Sequence, residues 1–189
     1  PVTITHGPPA NGTGDVGTFW SGPNAGSITF GNGDGSGSFG GIIRGNGSRT
    51  ADGNAEGGVT SVIKIGAGTQ VLSGINTYTG TTLVSAGELR VNGSIATSSL
   101  TTVGSGAVLS GIGSVGSLAA TAGSSLRPGN SPGILNTGSA TSAADLYIEI
   151  GGPTAGNGTG FHDQINTTGI LTLDGGLLNV SLAGSYIPN

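Results

Sequence analysis

Ala86-Gly87-Glu88-Leu89, Gly106-Ala107-Val108-Leu109 and Gly123-Ser124-Ser125-Leu126 each carry the chain through a glycine to a leucine, and the leucines stand 20 and then 17 residues apart. Intervals of that size are too short for an independent fold. They suit one coil of a solenoid, in which each repeat buries its apolar side only against its neighbours. The stretches between, such as Leu100 to Val103 and Val115 to Leu118, supply the other sides of each coil. At this spacing the chain makes roughly nine coils, and with strands about 4.8 Å apart the rod is on the order of 45 Å long.

Outward from these blocks the same local unit recurs: a short stretch of alternating apolar and polar residues closed by Gly, Asn-Gly or Ser-Gly. Ser38 to Ile43, Val59 to Ile65, Glu88 to Val91 and Leu177 to Leu182 are examples. Alternation marks a strand with one buried and one wet face, and glycine at its end supplies the positive φ of a corner. The 189 residues include 41 Gly and 8 Pro, which excludes a mostly helical fold, because an interior glycine costs a helix about 1 kcal/mol relative to alanine. The single Trp and the 4 Phe cannot fill a thick core, whereas a narrow interior of stacked Val, Ile, Leu, Ala, Ser and Thr is well supplied. Asn-Gly pairs at 11, 32, 46, 92 and 157 leave an antiparallel sandwich as the structural alternative.

A formal charge of −4 gives no electrostatic footprint for nucleic acid. The basic residues Arg44, Arg49, Lys64, Arg90 and Arg127 lie mid-chain, and after Arg127 only Asp145, Glu149, Asp163 and Asp174 are charged. With no Cys, neither a disulfide nor a thiolate metal site is available. The uncharged run between Arg90 and Arg127 is rich in Ser and Thr, and apolar runs never exceed three residues, so no transmembrane helix is expected. Pro1-Val2-Thr3-Ile4-Thr5-His6 has neither the basic start nor the apolar stretch of a signal peptide.

The run Lys64-Ile65-Gly66-Ala67-Gly68-Thr69-Gln70-Val71-Leu72-Ser73-Gly74-Ile75-Asn76-Thr77-Tyr78-Thr79-Gly80, continuing to Val84, Gly87, Leu89, Val91 and Gly93, resembles the autotransporter passenger-associated repeat of Gram-negative bacteria. Thr81 stands where many members have a second glycine. Leu126-Arg127-Pro128-Gly129-Asn130-Ser131-Pro132-Gly133 is similar to a recurrent corner of that family, and Phe161-His162-Asp163-Gln164-Ile165, followed by Gly169 to Leu182, to its aromatic-aspartate coil. The resemblance spans about residues 38 to 186, with its best match at 62–93. It implies a right-handed parallel β-helix over 38–189 within a passenger's stalk, preceded at 1–37 by an N-terminal cap or irregular first coils. It further implies a fragment of a longer passenger, whose C-terminal translocator barrel lies elsewhere in the parent chain.

Few residues invite a chemical reading. His162, Asp163, Asp145 and Glu149 form the one candidate acid-base group, but Asp145, Tyr147 and Glu149 share the wet face of a strand. A glycosidase needs two acids converging on one bond, about 5–9 Å apart. Asp163 is instead expected to hold turn amides. Asp34, in Gly31-Asn32-Gly33-Asp34-Gly35-Ser36-Gly37, has one copy of a calcium-roll-like unit where a cation needs six or more oxygens, so a turn is expected. The insertion from Arg44 to Gly58, with Asp52 and Glu56, is a possible contact loop, and Arg44-Gly45-Asn46 differs by one residue from the integrin-binding tripeptide. Asn-x-Ser/Thr triplets at Asn11, Asn46, Asn92, Asn157, Asn166 and Asn179 follow from composition. Phe19 and Trp20 are expected to cap the first coil, with a sugar-stacking platform as the alternative.

The expectation is therefore an all-β, right-handed parallel β-helix with no catalytic, cofactor or metal residues and an unassigned partner-binding surface. It would be a non-catalytic part of a secreted or surface-displayed passenger, anchored at the outer membrane through the barrel. It would serve adhesion or bacterial self-association and assist passenger folding during secretion. Expected partners are host-surface or extracellular-matrix molecules, or the same protein on neighbouring cells, with no nucleic acid and no membrane insertion. The alternative is a carbohydrate-active or carbohydrate-binding β-helix, which would need several Asp, Lys or Arg on neighbouring coils of one face.

Overall fold

The computed structural model describes residues 25–45 and 59–188, together with the backbone of the strands Thr3–His6 and Thr18–Trp20. Short strands follow one another around three faces, and each strand pairs with its counterpart one coil away. The first face stacks Thr3–His6, Gly26–Phe30, Thr60–Lys64, Thr82–Val84, Thr101–Val103, Leu118–Ala120, Ala140–Ser142 and Leu171–Leu173 in chain order. The second runs from Gly37–Phe39 through Thr69–Leu72, Glu88–Val91, Val108–Gly111, Ser125–Pro128 and Asp145–Ile150 to Leu178–Leu182. The third joins Ser94–Ile95, Ser114–Val115, Ile134–Thr137 and Gln164–Thr167, with Thr18–Trp20 and Ile42–Arg44 paired separately. Pairing between these strands is parallel throughout, so the antiparallel sandwich is excluded and the chain is a parallel β-helix.

The leucine spacing is the register of the second face. Gln70 pairs with Leu89, Leu89 with Leu109, Leu109 with Leu126, Leu126 with Leu146 and Leu146 with Leu178. Leu89, Leu109 and Leu126 are buried, so their side chains stack coil over coil. Burying such a side chain contributes about 1.5–3 kcal/mol. A matching row on the first face runs Ile28, Val62, Thr82, Thr101, Leu118, Ala140 and Leu171.

Coil length is not constant. Thr101 pairs with Leu118, 17 residues on, whereas Ala140 pairs with Leu171, 31 residues on. The extra residues lie in an excursion between Ile150 and Gln164, folded on itself through bridges from His162 to Ile150 and Ala155. One expected strand is split by a corner. Ser38 to Ile43 divides at Gly40-Gly41 into Gly37–Phe39 on the second face and Ile42–Arg44, which pairs with Thr18–Trp20; Val115 and Leu118 lie on the third and first faces and so supply the other sides of the coil. Burial keeps alternating through Phe39, Gly41 and Ile43 while the backbone turns at the glycine pair.

Candidate functional site

The residues of the long repeat run hold successive coils together. Asn76 is almost completely buried; its Oδ1 accepts the Ile43 amide of the preceding coil at 2.9 Å, and its Nδ2 donates to Gly74 and to Ser94 of the following coil, both at 3.0 Å. One carboxamide thus satisfies backbone groups on three coils, which a buried amide must do to offset its desolvation. The neighbouring Thr77 amide donates to the Ile43 carbonyl at 2.9 Å. Tyr78 is wholly buried, with its hydroxyl 2.6 Å from Thr82 Oγ1, which lies 2.9 Å from Ser98 Oγ. Burial pushes the Tyr78 phenol well above its ordinary value despite the hydrogen bonds with Thr82 and Ser98.

Lys64 is the residue whose position the sequence reading misses. In Val62-Ile63-Lys64 alternation turns it inward beside Val62, and it is fully buried. Its Nζ donates to the carbonyls of Ile65 at 2.7 Å, Gly66 at 2.8 Å and Ala86 at 3.1 Å, using all three of its protons at one corner. Burial lowers its ammonium from the ordinary lysine value, against the opposing attraction of Asp34 and Glu88. The signal was available: a lysine at an inward parity in a chain with 5 basic residues.

Of the candidate acid-base residues, Asp163, His162 and Asp145 each bond a backbone group. Asp163 is buried; Oδ1 accepts the Gly133 amide at 2.6 Å and Oδ2 the Glu149 amide at 2.8 Å. This is the amide-holding role read from its sequence, and it joins the proline-glycine corner to the aromatic-aspartate coil. Burial nonetheless pushes its carboxyl above the ordinary value, the amides of Glu149 and Gly133 pulling the other way. His162 Nδ1 lies 3.1 Å from the Gly152 carbonyl, and Asp145 Oδ1 accepts the Leu177 amide at 2.9 Å. Asp34 sits at φ 60° and accepts the Ala67 amide of the next coil at 2.8 Å. Among the described residues no cluster of three or more His, Cys, Asp or Glu is placed to hold a metal ion. Asn46 to Gly58, with Asp52 and Glu56, lies outside the described residues, as do Asn11 and the side chains of Phe19 and Trp20.

What remains is a hollow of about 410 Å³ on the outside of the second face. Parallel register sets Arg90, Ser110 and Arg127 on successive coils. The Arg127 guanidinium lies over the Tyr147 ring, 4.6 Å from its centroid. Arg90 is bound to Glu88 through Nε at 3.0 Å and Nη2 at 2.8 Å, and Glu88 also accepts the hydroxyls of Ser110 and Thr69. Burial works to raise the Glu88 carboxyl, but the bonds from Ser110, Arg90 and Thr69 together outweigh it and hold the carboxyl below its ordinary value. The corner Pro128 to Ser131 walls one side, with Ser131 at φ 83°. A second cavity of about 350 Å³ opens inside the last coils, lined by Leu126, Leu146, Ile148, Leu171 and Leu173.

Residues 62–91 match the passenger-associated-transport-repeat family. Over 135 residues, 70% of this chain, the sequence is 36% identical to an extracellular serine protease of Serratia marcescens, covering 12% of that protein. Over 128 residues, 66% of this chain, it is 36% identical to the adhesin BmaC autotransporter of Brucella suis biovar 1, covering 3% of it. The chain therefore spans only a small part of either relative. No solved structure matches it.

Proposed function

As a chain that carries the autotransporter passenger repeat, this protein is, we propose, a non-catalytic structural segment of a passenger secreted from or displayed on a Gram-negative bacterium. Its coils hold adhesive or self-associating surfaces away from the cell and stabilise the passenger as it folds outside. The observation that carries this reading is the use made of the motif residues: Asn76, Lys64 and Asp163 spend their polar atoms on backbone groups of neighbouring coils. A rod assembled in this way adds stability one coil at a time, which suits folding that proceeds as the chain emerges.

Outer rows of small uncharged residues support a contact role. Ser94, Ser114, Asn136 and Asn166 follow one another on the third face, and Thr102, Ala119, Thr141 and Thr172 on the first. Low charge lets such rows approach a second rod or a host-surface molecule without strong repulsion. One relative is itself named an adhesin. Deletion of residues 62–135 from the full-length protein, followed by assays of surface display, adhesion and cell aggregation, tests the reading. Retained precursor supports the folding role, and normal display with lost adhesion or aggregation supports the contact role. Display, adhesion and aggregation all unchanged would overturn both.

A further inference from the structure

Hydrogen-bond accounting around the hollow on the second face separates groups already committed from groups still available. Glu88, Arg90 and Ser110 are tied to one another, and Asp163 is held by two amides. Arg127 has no carboxylate partner among the described residues; its guanidinium lies over the Tyr147 ring. A guanidinium held over an aromatic ring keeps N–H donors that the ring does not consume, and these can bind a carboxylate through two parallel bonds. Around the same hollow stand the Glu149 carboxylate, the Asn130 amide and the Ser131 hydroxyl. Asn130 reaches Asn92 through Nδ2 alone, at 3.2 Å, which leaves its Oδ1 available.

We propose that this hollow binds a sugar that carries a carboxylate. The ligand's carboxylate pairs with the Arg127 edge, and its ring hydroxyls donate to Glu149 and to Asn130 Oδ1 and accept from Ser131. A volume of about 410 Å³ falls within the roughly 300–1,000 Å³ of small-ligand pockets. The mixture of one free cation with an acidic acceptor selects for both halves of the ligand. A simple anion would meet Glu149 without a hydroxyl to bind it, and a neutral sugar would leave the Arg127 edge empty. Binding is shallow because the hollow is open to solvent, so a polymer or a densely displayed glycan that engages several rods gains most from it. The assignment concerns one surface of this chain and holds whether or not the segment also assists secretion.

The test is titration of the protein with three oligosaccharides matched in length: one ending in a uronic acid, one ending in sialic acid, and one ending in a neutral hexose. One or both acidic ligands are expected to bind at least about tenfold more tightly than the neutral one, and the two acidic arms distinguish a polysaccharide source from a sialylated host glycan. Arg127→Ala is expected to abolish that preference and Arg127→Lys to retain only part of it, since an ammonium cannot make the paired contact. Glu149→Gln is expected to weaken binding while preserving the preference for acid. Because Arg127 is exposed, unchanged thermal unfolding of its variants serves as the folding control. Equal binding of neutral and acidic ligands, an undiminished preference in Arg127→Ala, or no binding at millimolar ligand would overturn the proposal.

Discussion

The ammonium of Lys64 donates to the carbonyl oxygen of Ala86, 22 residues further along the chain, while it also holds the carbonyls of Ile65 and Gly66. A single cation thereby closes the corner of one coil and fastens it to the next.

Lys64→Met preserves much of the side-chain volume but removes the donor from those carbonyls. Unsatisfied buried acceptors cost about 1–3 kcal/mol each, and relief from burying a charge offsets part of the sum over the three carbonyls. Urea denaturation should show a net loss of about 1–3 kcal/mol.

Thr101 offers the reverse case. Its buried Oγ1 has no hydrogen-bond partner among the described residues, while its backbone amide is bonded to Ser117. Thr101→Val replaces that hydroxyl with a methyl group of similar shape, stacked between Thr82 and Leu118. Stability should rise by about 1 kcal/mol, seen as an increase in the thermal midpoint.

Two glycines should respond differently to a methyl group. A Cβ on Gly74 would overlap the carbonyl oxygen of Gly41 in the coil below, whereas one on Gly106 meets nothing within 4 Å. Gly74→Ala should cost about 3 kcal/mol or more by forcing adjacent coils apart. Gly106→Ala should cost about 1–2 kcal/mol, because its φ of 78° is strained for an L residue whatever the space. Paired denaturation curves decide this.

Acid should weaken the protein through Glu88. Its folded-state carboxyl is held below 4.5, so its contribution to stability is present above that pH and is lost as pH falls through the lower folded value. Glu88→Gln should be less stable than the parent at neutral pH and should show a smaller further loss on acidification below pH 4.5.

Alkali should act through Tyr78. The buried phenol stays protonated above 10, where the unfolded chain ionises, so this group favours folding at lower pH and its contribution declines as pH rises past 10. Lys64, lowered by burial, acts in the opposite direction below 10.5. The difference between Tyr78→Phe and the parent isolates the phenol: the gap between them should narrow above pH 10.

The second-face register was legible because Leu89, Leu109 and Leu126 recur at the spacing of a coil, and a repeated row is visible without coordinates. Asp163 was legible as an amide holder because the resemblance makes it a recurrent member of the aromatic-aspartate coil, and Asp145 and Glu149 share the wet face of another strand. Lys64 was not, since a lysine is ordinarily read as solvated and only its parity beside Val62 turns it inward. The Arg127–Tyr147 stack was hidden for another reason: residues 20 apart become neighbours only once the rungs are aligned. Asn76 lay within a quoted motif, yet its role in three coils depends on Ile43 and Ser94, which no local pattern connects to it.

The coil that runs from Ala140 to Leu171 carries its surplus between Ile150 and Gln164 while its flanking strands keep their partners. Chain can therefore be inserted at that bend without disturbing the rungs on either side. Such a bend is a natural graft point, where an epitope or a small folded cargo could be spliced in and exported as a passenger of the rod itself.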